Sequence, residues 1–444
     1  MHGFAADRGE TELAVEQPGI FSEATRRYAL SVLVVVYTFN FIDRQILSIL
    51  LEPIKQDLGL SDTQLGMLTG FAFAAFYATL GIPIARYADR SNRRNLIALA
   101  LAIWSGMTAL CGLAGNFFHL LAARIGVGIG EAGCSPPAHS LIADYFEPGA
   151  RGRAMAIYFL GLPMGSFLGY LLGGWINELY GWRVAFFAVG APGLLLAILV
   201  RLTLKEPARG LSDRAATVPT EARPIGETLS ALFRNHSYRH LALGTSLVAM
   251  TVYGSATWFP AFMMRTHGMS SGEAGTLLAL LAAGSGIVGT IIGGFLSDWL
   301  GARDNRWYAW VPALATLISV PFSIAALISA SVTWLAILLI PVTLAQVIYA
   351  PPVFATVQRL VGLRSRATAS AVLLFSANLI GLGLGPLALG VMSDLLNRQF
   401  GDDALRFALL SITAIGVWAS LHFFLASSSL RADIERAEQA TAAC

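Results

Sequence analysis

Long apolar runs recur along almost the whole chain. A helix needs roughly 20 mostly apolar residues to cross the hydrocarbon of a bilayer, and it satisfies its own backbone hydrogen bonds there. Hydrophobic residues make up 55% of the chain and charged residues only 13%, too few charges for the surface of a water-soluble protein. The sequence therefore predicts an all-α integral membrane protein with twelve transmembrane helices, at 28–50, 63–85, 95–115, 118–142, 153–176, 183–203, 238–264, 273–298, 306–328, 333–356, 367–395 and 405–426.

The polar segments divide the chain and orient it. Segment 204–237 is charged and broken by proline, which indicates a linker between two six-helix bundles, 28–203 and 238–426. Short tails, 1–27 and 427–444, flank them. Cytoplasmic loops accumulate Lys and Arg, and an N-terminus inside places 23 of the 30 on the cytoplasmic side. The sequence therefore predicts that both termini and the linker are cytoplasmic.

Several functional classes are disfavoured by composition. Lys55 and Lys205 are the only lysines, a bias typical of high-GC bacteria, so we expect a multi-pass protein of the bacterial inner membrane. Residues 1–27 lack the apolar core and cleavage site of a secretory signal. The net charge of +3 gives no basic field for nucleic acid. Cys111, Cys134 and Cys444 have no metal-ligand spacing. We expect no cofactor, no metal and no nucleic-acid partner, and a chain that acts as a monomer.

Two basic loop motifs occur twice. Asp89, Arg90, Arg93 and Arg94 follow the second predicted span, and Asp298 with Arg303 follows the eighth at an offset of 209 residues. The run 151–156 before the fifth span matches 364–369 before the eleventh at an offset of 213. Basic loops are common in membrane proteins, but two matches at nearly one offset favour a duplicated bundle with pseudo-two-fold symmetry.

The motifs resemble those of the major facilitator superfamily, over residues 28–426. Its loop motif has glycines where the first copy has Ala85 and Asn92, and the second copy keeps both, at Gly294 and Gly301. Within that superfamily, the strings at 40–44 and 124–132 look like the spinster family. Spinster-like carriers are associated with sphingolipids and lysophospholipids in animals, and bacterial relatives with proton coupling. The resemblance implies a proton-coupled secondary transporter of an amphipathic, lipid-like or organic-anion substrate.

Four ionisable residues lie deep in predicted spans: Asp43, Arg44, Arg124 and Glu131. Each such side chain at the bilayer centre costs about 2.5–3.5 kcal/mol or more, so its presence suggests a function. We predict that Glu131 binds the proton and that Asp43, also a proton-coupling candidate, pairs with Arg124 or Arg44 in one state. The two arginines are also candidates to bind an anionic headgroup. The alternative is a fixed ion pair that only aligns the first and fourth spans.

The loop motif predicts a cytoplasmic gate. Asp89, Arg90, Arg93 and Arg94 can bind the end of a neighbouring helix or Asp144, and Asp298 with Arg303 would do the same in the second copy. Several weak charged contacts together can bias a two-state equilibrium. The alternative is that these arginines only set the topology of the loop.

Glycine and proline mark two helices. Gly161, Gly165, Gly169 and Gly173 recur every four residues, so one face of the fifth span permits close helix approach, for static packing or for flexing. The pair 136–137 is Pro-Pro and interrupts the fourth span just after Glu131.

The second half offers an aromatic and mildly polar wall. Such a wall suits an amphipathic ligand, although aromatic residues in membrane helices mostly pack or lie at interfaces. With one residue of the first half, the candidate substrate-cavity residues are Asn40, Tyr253, Trp258, Gln346, Tyr349, Phe354 and Asn378. The expected partners are protons, membrane lipids and a small amphipathic substrate.

Rival functions lack their motifs. The chain has no phosphate-binding GxxxxGK[ST] loop and no HExxH string, so it offers no site for ATP hydrolysis or for zinc-dependent catalysis of this kind. A channel would need a repeated polar pore lining. The remaining alternative is a drug or organic-anion exporter of the same fold.

Overall fold

The described part of the chain is built from helices. The computed structural model describes residues 21–88, 90–211, 225–361 and 365–442, and these contain no β-strand. We number the main helices α1 Glu23–Leu58, α2 Asp62–Ala88, α3 Arg93–Cys111, α4 Phe117–Glu131, α5 Ser135–Tyr145, α6 Pro148–Tyr180, α7 Trp182–Thr203, α8 Ile225–Arg234, α9 His236–His267, α10 Ser271–Gly301, α11 Trp307–Ile328, α12 Val332–Arg359, α13 Arg366–Ser376, α14 Gly385–Phe400 and α15 Ala404–Ala442. We refer to α1–α7 as the first half and to α8–α15 as the second half.

Ten helical segments of the described part are long and apolar enough to cross a membrane. Two parts of the chain account for the difference between these ten segments and the twelve predicted spans. The fourth predicted span is broken at 132–134 into α4 and α5, each too short to count. The eleventh and twelfth predicted spans fall within one apolar helical stretch, Thr368–Gln439. Within it, a π-helical segment, Ala377–Leu384, precedes α14, and the short turn Gly401–Asp403 separates α14 from α15.

Helical boundaries depart from the predicted linker and tail. The linker contains α8, and its residues 212–224, like residues 1–20 of the N-terminal tail, lie outside the described part. The predicted tail from residue 427 onward continues α15 as far as Ala442. Asp433 explains this continuation, because its carboxylate accepts hydrogen bonds from the Ser237 backbone at 3.1 Å and the Ser429 hydroxyl at 3.1 Å. The end of α15 is thus tied to the start of α9.

The same turn precedes α2 and α10. Gly59 and Gly268 both adopt a φ of 63°, a left-handed conformation that favours glycine, and each ends the preceding helix. Two residues later Ser61 and Ser270 begin capping boxes, which Gln64 and Glu273 complete. The two turns are 209 residues apart, the offset of the loop motifs. The duplication read from the loops therefore extends to the opposite ends of these helices.

Glycines let α6 pack closely along α1. A β-carbon on Gly161 would lie 2.9 Å from the Val34 carbonyl oxygen, and one on Gly169 would lie 3.0 Å from that of Ile42. A β-carbon on Gly165 would collide with the Thr38 carbonyl. Real β-carbons are not found so close to backbone oxygens, so the predicted glycine face is a close helix contact.

The two halves meet through backbone at one end, which we call the closed end. It carries the turns at 59–61 and 268–270. A β-carbon on Gly66 of α2 would lie 2.5 Å from the Pro386 carbonyl oxygen of α14, and one on Gly70 would lie 2.7 Å from that of Gly383. The Tyr170 hydroxyl of α6 donates to the Ala256 carbonyl of α9 at 3.0 Å. Among described residues, no hydrogen bond joins the halves at the opposite end.

We expect Gly165→Ala to destabilise the fold. Its methyl group would overlap the Thr38 carbonyl, and overpacking of this kind costs about 1–3 kcal/mol. Thermal unfolding of the purified protein in detergent measures the effect. The matched control is Gly152→Ala, also helical in α6, where a β-carbon meets nothing within 4 Å and should be neutral or stabilising. Equal unfolding temperatures for both variants would contradict close packing at Gly165.

Candidate functional site

Glycines of α4 place two charged residues inside the first half. A β-carbon on Gly128 would lie 2.9 Å from the Phe73 carbonyl oxygen of α2, and one on Gly130 would lie 2.7 Å from the Trp104 backbone nitrogen of α3. The helix therefore sits close against both neighbours. It ends at Glu131, just before the Pro-Pro pair, as the predicted interruption requires. Arg124 and Glu131 are 2% and 1% exposed, so both lie in the protein interior.

Glu131 forms an ion pair with Arg44 of α1. The Arg44 Nε donates to Glu131 Oε2 at 2.7 Å, and the carboxylate side chain has no exposed surface. The Arg44 guanidinium also lies over three rings, 5.1 Å from the Phe41 centroid, 5.1 Å from Phe73 and 5.0 Å from Tyr77. A cation desolvated over aromatic faces gains roughly 0.5–2 kcal/mol per contact. We call these three rings, Phe41, Phe73 and Tyr77, the aromatic box. The site is therefore an arginine that contacts the aromatic box and forms an ion pair with a buried carboxylate.

Asp43 and Arg124 adjoin this pair without forming an ion pair. Asp43 is 1% exposed, its Oδ1 has no hydrogen-bond partner, and Thr108 of α3 lies beside it. The Arg124 guanidinium lies 5.4 Å from the Phe73 centroid, on the ring that also contacts Arg44. No described carboxylate lies within 4.0 Å of Arg124. The expected pairing of Asp43 with Arg124 or Arg44 is therefore absent in this conformation, because Arg44 is committed to Glu131.

An ionic network that the sequence did not predict joins the halves at the closed end. Arg265 of α9 donates from both terminal nitrogens to the two oxygens of Asp62, at 2.7 and 2.8 Å. Its Nε donates to Glu52 of α1 at 2.6 Å. Lys55 and the Ser393 hydroxyl complete the surroundings of Asp62, at 2.7 and 2.6 Å. A bidentate, mostly buried arginine–carboxylate pair is among the stronger polar contacts available to a protein.

Asp394 of α14 adds a second link at this end. Its carboxylate accepts from the backbone nitrogens of Asp62 and Thr63, at 3.1 and 2.7 Å. These N–H groups belong to the first turn of α2, where no intrahelical acceptor exists and the helix dipole favours a negative charge. Asp394 of the second half therefore caps the N-terminus of α2 in the first half. Separation of the halves at the closed end would remove this cap.

The predicted gate residues of the first loop motif bind their own half. Arg93 is 1% exposed and pairs with Asp144, as predicted, and with Glu206 at 2.8 Å. Glu206 also accepts from the Arg94 backbone nitrogen at 2.9 Å. These contacts attach the start of the linker to α3 and α5. Arg90 is exposed, and Asp89 lies outside the described residues.

The second loop motif likewise makes contacts within its half. Asp298 accepts from the Tyr308 hydroxyl at 3.2 Å, and the Arg303 guanidinium lies 4.6 Å from the Trp299 centroid. Both charged residues are exposed. Among the described residues, neither loop motif bridges the halves in this conformation.

One candidate cavity residue was wrongly assigned. Trp258 is fully buried, and its Nε1 donates to the Pro386 carbonyl at 2.9 Å, so it fills the contact between α9 and α14 and offers no surface to a substrate. Tyr253 packs against the buried cluster of the first half, near Arg44 and Tyr77.

The other cavity candidates fall into three places. Asn40 is buried beside Glu131. Gln346 lines a small pocket inside the second half. Tyr349 and Phe354 pack at the edge of the buried cluster formed by α9, α12 and α15. Asn378 is half-buried in the π-helical segment before α14. Only Asn40 and Tyr253 therefore adjoin the ionisable site.

Sequence reasoning missed the aromatic box and the closed-end network. Phe41 precedes Arg44 by three residues, a helical spacing that places both on one face and could have indicated the contact. Phe73 and Tyr77 are four residues apart on α2 and also lie on one helix face. The sequence does not show which arginine they contact. Nothing in the sequence around Lys55 and Arg265 indicated which carboxylates they would bind.

We expect Asp62→Asn to open the closed end. The substitution removes the negative charge that pairs with both Arg265 and Lys55. We expect the ratio of open to closed molecules to rise about tenfold, which corresponds to about 1.4 kcal/mol. Spin labels on Leu179→Cys of α6 and Leu395→Cys of α14 report the separation by pulsed electron resonance, and a longer-distance component should appear. Asp57→Asn is the control, because its partially exposed pair with Arg183 lies within the first half. An unchanged distance distribution in Asp62→Asn would refute the closing role.

Comparisons with known proteins agree with this architecture. The sequence model of the Major Facilitator Superfamily matches residues 33–386. An "MFS-type efflux pump" of Mycolicibacterium smegmatis is 37% identical over 91% of this chain and 94% of its own. The human "Protein spinster homolog 1" is 29% identical over 93% of this chain and 83% of its own.

A solved structure is similar over nearly the whole fold. It is a bacterial homolog of the human lysosomal transporter spinster, in an inward-facing and unoccupied conformation, and it shares 36% identity and a TM-score of 0.86 over 93% of this chain and 99% of its own. Its occupied counterpart gives 35% and 0.83, with the same coverage. The chain therefore belongs to the major facilitator superfamily and, within it, to the spinster-like carriers.

Proposed function

We propose that this chain is a proton-coupled secondary transporter that moves an amphipathic, lipid-like or organic-anion substrate across the bacterial inner membrane by alternating access. In this proposal twelve helices cross the membrane, the broken α4–α5 counts as one crossing, and both termini are cytoplasmic. The closed end then faces outward, and the structure corresponds to an inward-facing state. The inward-facing conformation of the similar bacterial structure supports this orientation.

The buried pair of Arg44 and Glu131 is the observation that carries the proposal. A carboxylate with no exposed surface is stable as an anion while its arginine partner stays in place. Protonation of Glu131 removes its charge and so weakens the ion pair that holds Arg44. Asp43 and Arg124 provide a second carboxylate and a second cation beside this pair. Proton binding can therefore rearrange charge within the site, which is what coupling requires.

The surroundings of the site favour an amphipathic substrate. Arg44 and Arg124 supply positive charge, whereas Phe41, Phe73 and Tyr77 supply apolar and aromatic surface. An anionic headgroup would bind the arginines while a chain extends toward the second half. The resemblance of the strings at 40–44 and 124–132 to the spinster family implies the lipid-like class.

A drug or organic-anion exporter is the alternative. The 37% identical relative bears the name of an efflux pump, which favours export over uptake. The ionisable site serves either substrate class equally well, so the alternative changes the cargo and the direction but not the proposed coupling.

We expect Glu131→Gln to abolish transport driven by a pH gradient in proteoliposomes. The amide keeps the size of the side chain but can neither bind the proton nor pair with Arg44. Substrate exchange without a gradient should persist, because alternating access itself does not need the proton in this proposal. Glu147→Gln, the same change at an exposed surface position, is the control. Gradient-driven uptake at the wild-type level in Glu131→Gln would exclude the proton role.

A competition screen in the same proteoliposomes tests the substrate class. Single-chain anionic amphiphiles should compete best, because they match both the arginines and the aromatic surface. Lipophilic cations without an anionic group represent the drug-exporter alternative. Stronger competition from short, fully polar solutes would contradict the amphipathic assignment and leave the proton role untouched.

A further inference from the structure

His139 of α5 is a titratable residue inside the first half that the proposed transport cycle does not use. It lies eight residues after Glu131, beyond the break at 132–134. Its side chain is half-buried, and its Nε2 is fully buried without a hydrogen-bond partner among the described residues. Histidine gains and loses protons near neutral pH, so an imidazole this close to a proposed proton site is a candidate for proton transfer.

Tyr158 of α6 is a second unpartnered group, and it contacts this histidine. The rings of Tyr158 and His139 meet edge to face, with centroids 5.4 Å apart. Tyr158 is 1% exposed, and its hydroxyl is buried without a hydrogen-bond partner in the described part of the chain. Its ring also stacks on Tyr37 of α1, with centroids 4.4 Å apart. Core packing explains the stack but not the two unpartnered polar atoms, because buried polar groups nearly always have a partner.

The residues that follow α4 connect Tyr158 with Glu131. Cys134 is 1% exposed and lies close enough to both Glu131 and Tyr158 to interact electrostatically with them. Ser135, the first residue of α5, lies beside the Tyr158 hydroxyl. One oxygen of Glu131 is in the ion pair, whereas its Oε1 is buried and unpartnered among the described residues. Groups that can pass a proton therefore follow one another from Glu131 past Ser135 and Tyr158 to His139.

The charged neighbours of His139 lie toward the end of the bundle opposite the closed end. Ser140, the next residue, accepts from Arg93 through its hydroxyl at 2.8 Å and its carbonyl at 3.4 Å, and Arg93 pairs with Asp144. No described carboxylate lies within ion-pair distance of His139 itself. The imidazole is therefore close to the charged loops of that end, without an ion pair that would hold it in one charge state.

We propose that Tyr158 and His139 carry the proton between Glu131 and the end of the bundle opposite the closed end. The proposal rests on the proposed proton role of Glu131. The proton leaves Glu131 Oε1 for a hydroxyl oxygen, directly or through Ser135, and the Tyr158 hydroxyl gives up its own proton to His139 Nε2. The imidazolium then releases a proton to water, so that one proton moves and each hydroxyl ends as it began. The reverse order loads Glu131.

A drop in pH applied to the purified full-length protein in lipid nanodiscs tests the relay without a substrate. Time-resolved infrared spectroscopy follows the carboxylic-acid band of Glu131, identified as the band that Glu131→Gln lacks. His139→Gln should slow the rise of this band at least about tenfold at unchanged final amplitude, and added imidazole should restore the rate. Tyr158→Phe keeps the stacked ring, loses only the hydroxyl and should slow the band similarly. His119→Gln is the control, because this exposed histidine lies in the first turn of α4, far from the break.

Three results would overturn the relay. A wild-type rate in either His139→Gln or Tyr158→Phe would remove that residue from the path. A smaller amplitude at the wild-type rate would show that His139 sets the proton affinity of Glu131 and not its access. A slow rate that imidazole does not restore would assign the effect to disturbed packing. Failure of the proposed function is distinguishable, because the wild-type protein would then show no Glu131 band at all.

Discussion

The ion pair of Arg44 with Glu131 joins α1 to α4 inside the first half, where the Glu131 side chain has no exposed surface and that of Arg44 is 16% exposed. Removing either partner would leave an uncompensated buried charge, which typically costs 3–5 kcal/mol, so the packing around the pair has to hold both in place. The glycines of α4 let it approach α2 and α3, and those of α6 let it approach α1. Close backbone packing in the first half thus serves to present two charges to each other inside an aromatic box.

Two helices connect this site to the closed end. α1 carries Arg44 and, eight residues on, Glu52, about 12 Å along the axis. α2 carries Phe73 of the aromatic box and, at its start, Asp62. A tilt of either helix that follows release of Arg44 would therefore move a partner of Arg265. Two states of the site and two states of the closed end can be coupled through rigid helices, without a separate relay of contacts.

The sequence predicted the helical class, the duplication and the ionisable cluster, because these depend on composition, spacing and the cost of charge in a bilayer. It left open whether Asp43 pairs with Arg124 or with Arg44 in one state, and in this conformation Arg44 binds Glu131. Depth along a helix can be read from the sequence, but rotation about the helix axis is set by packing. Trp258 was placed in the cavity for its chemistry, although its indole completes a helix contact. The closed-end network joins Asp62 to Arg265 across 203 positions and to Ser393 across 331, distances over which local patterns carry no information.

Duplication also explains what the second half retains. Thr108 of α3 lies beside Asp43 in the first half, and 211 residues later Ser319 of α11, with Thr316, lines a pocket of about 30 Å³ inside the second half. Thr251, Gln346 and Thr413 line it as well, and none of its lining residues is ionisable. A polar space of this size holds a water molecule. The repeat therefore preserves a polar position in both bundles, but only the first bundle places charged residues beside it. Under the proposed coupling, a change in proton binding would act on that half and leave the other as the surface against which it moves.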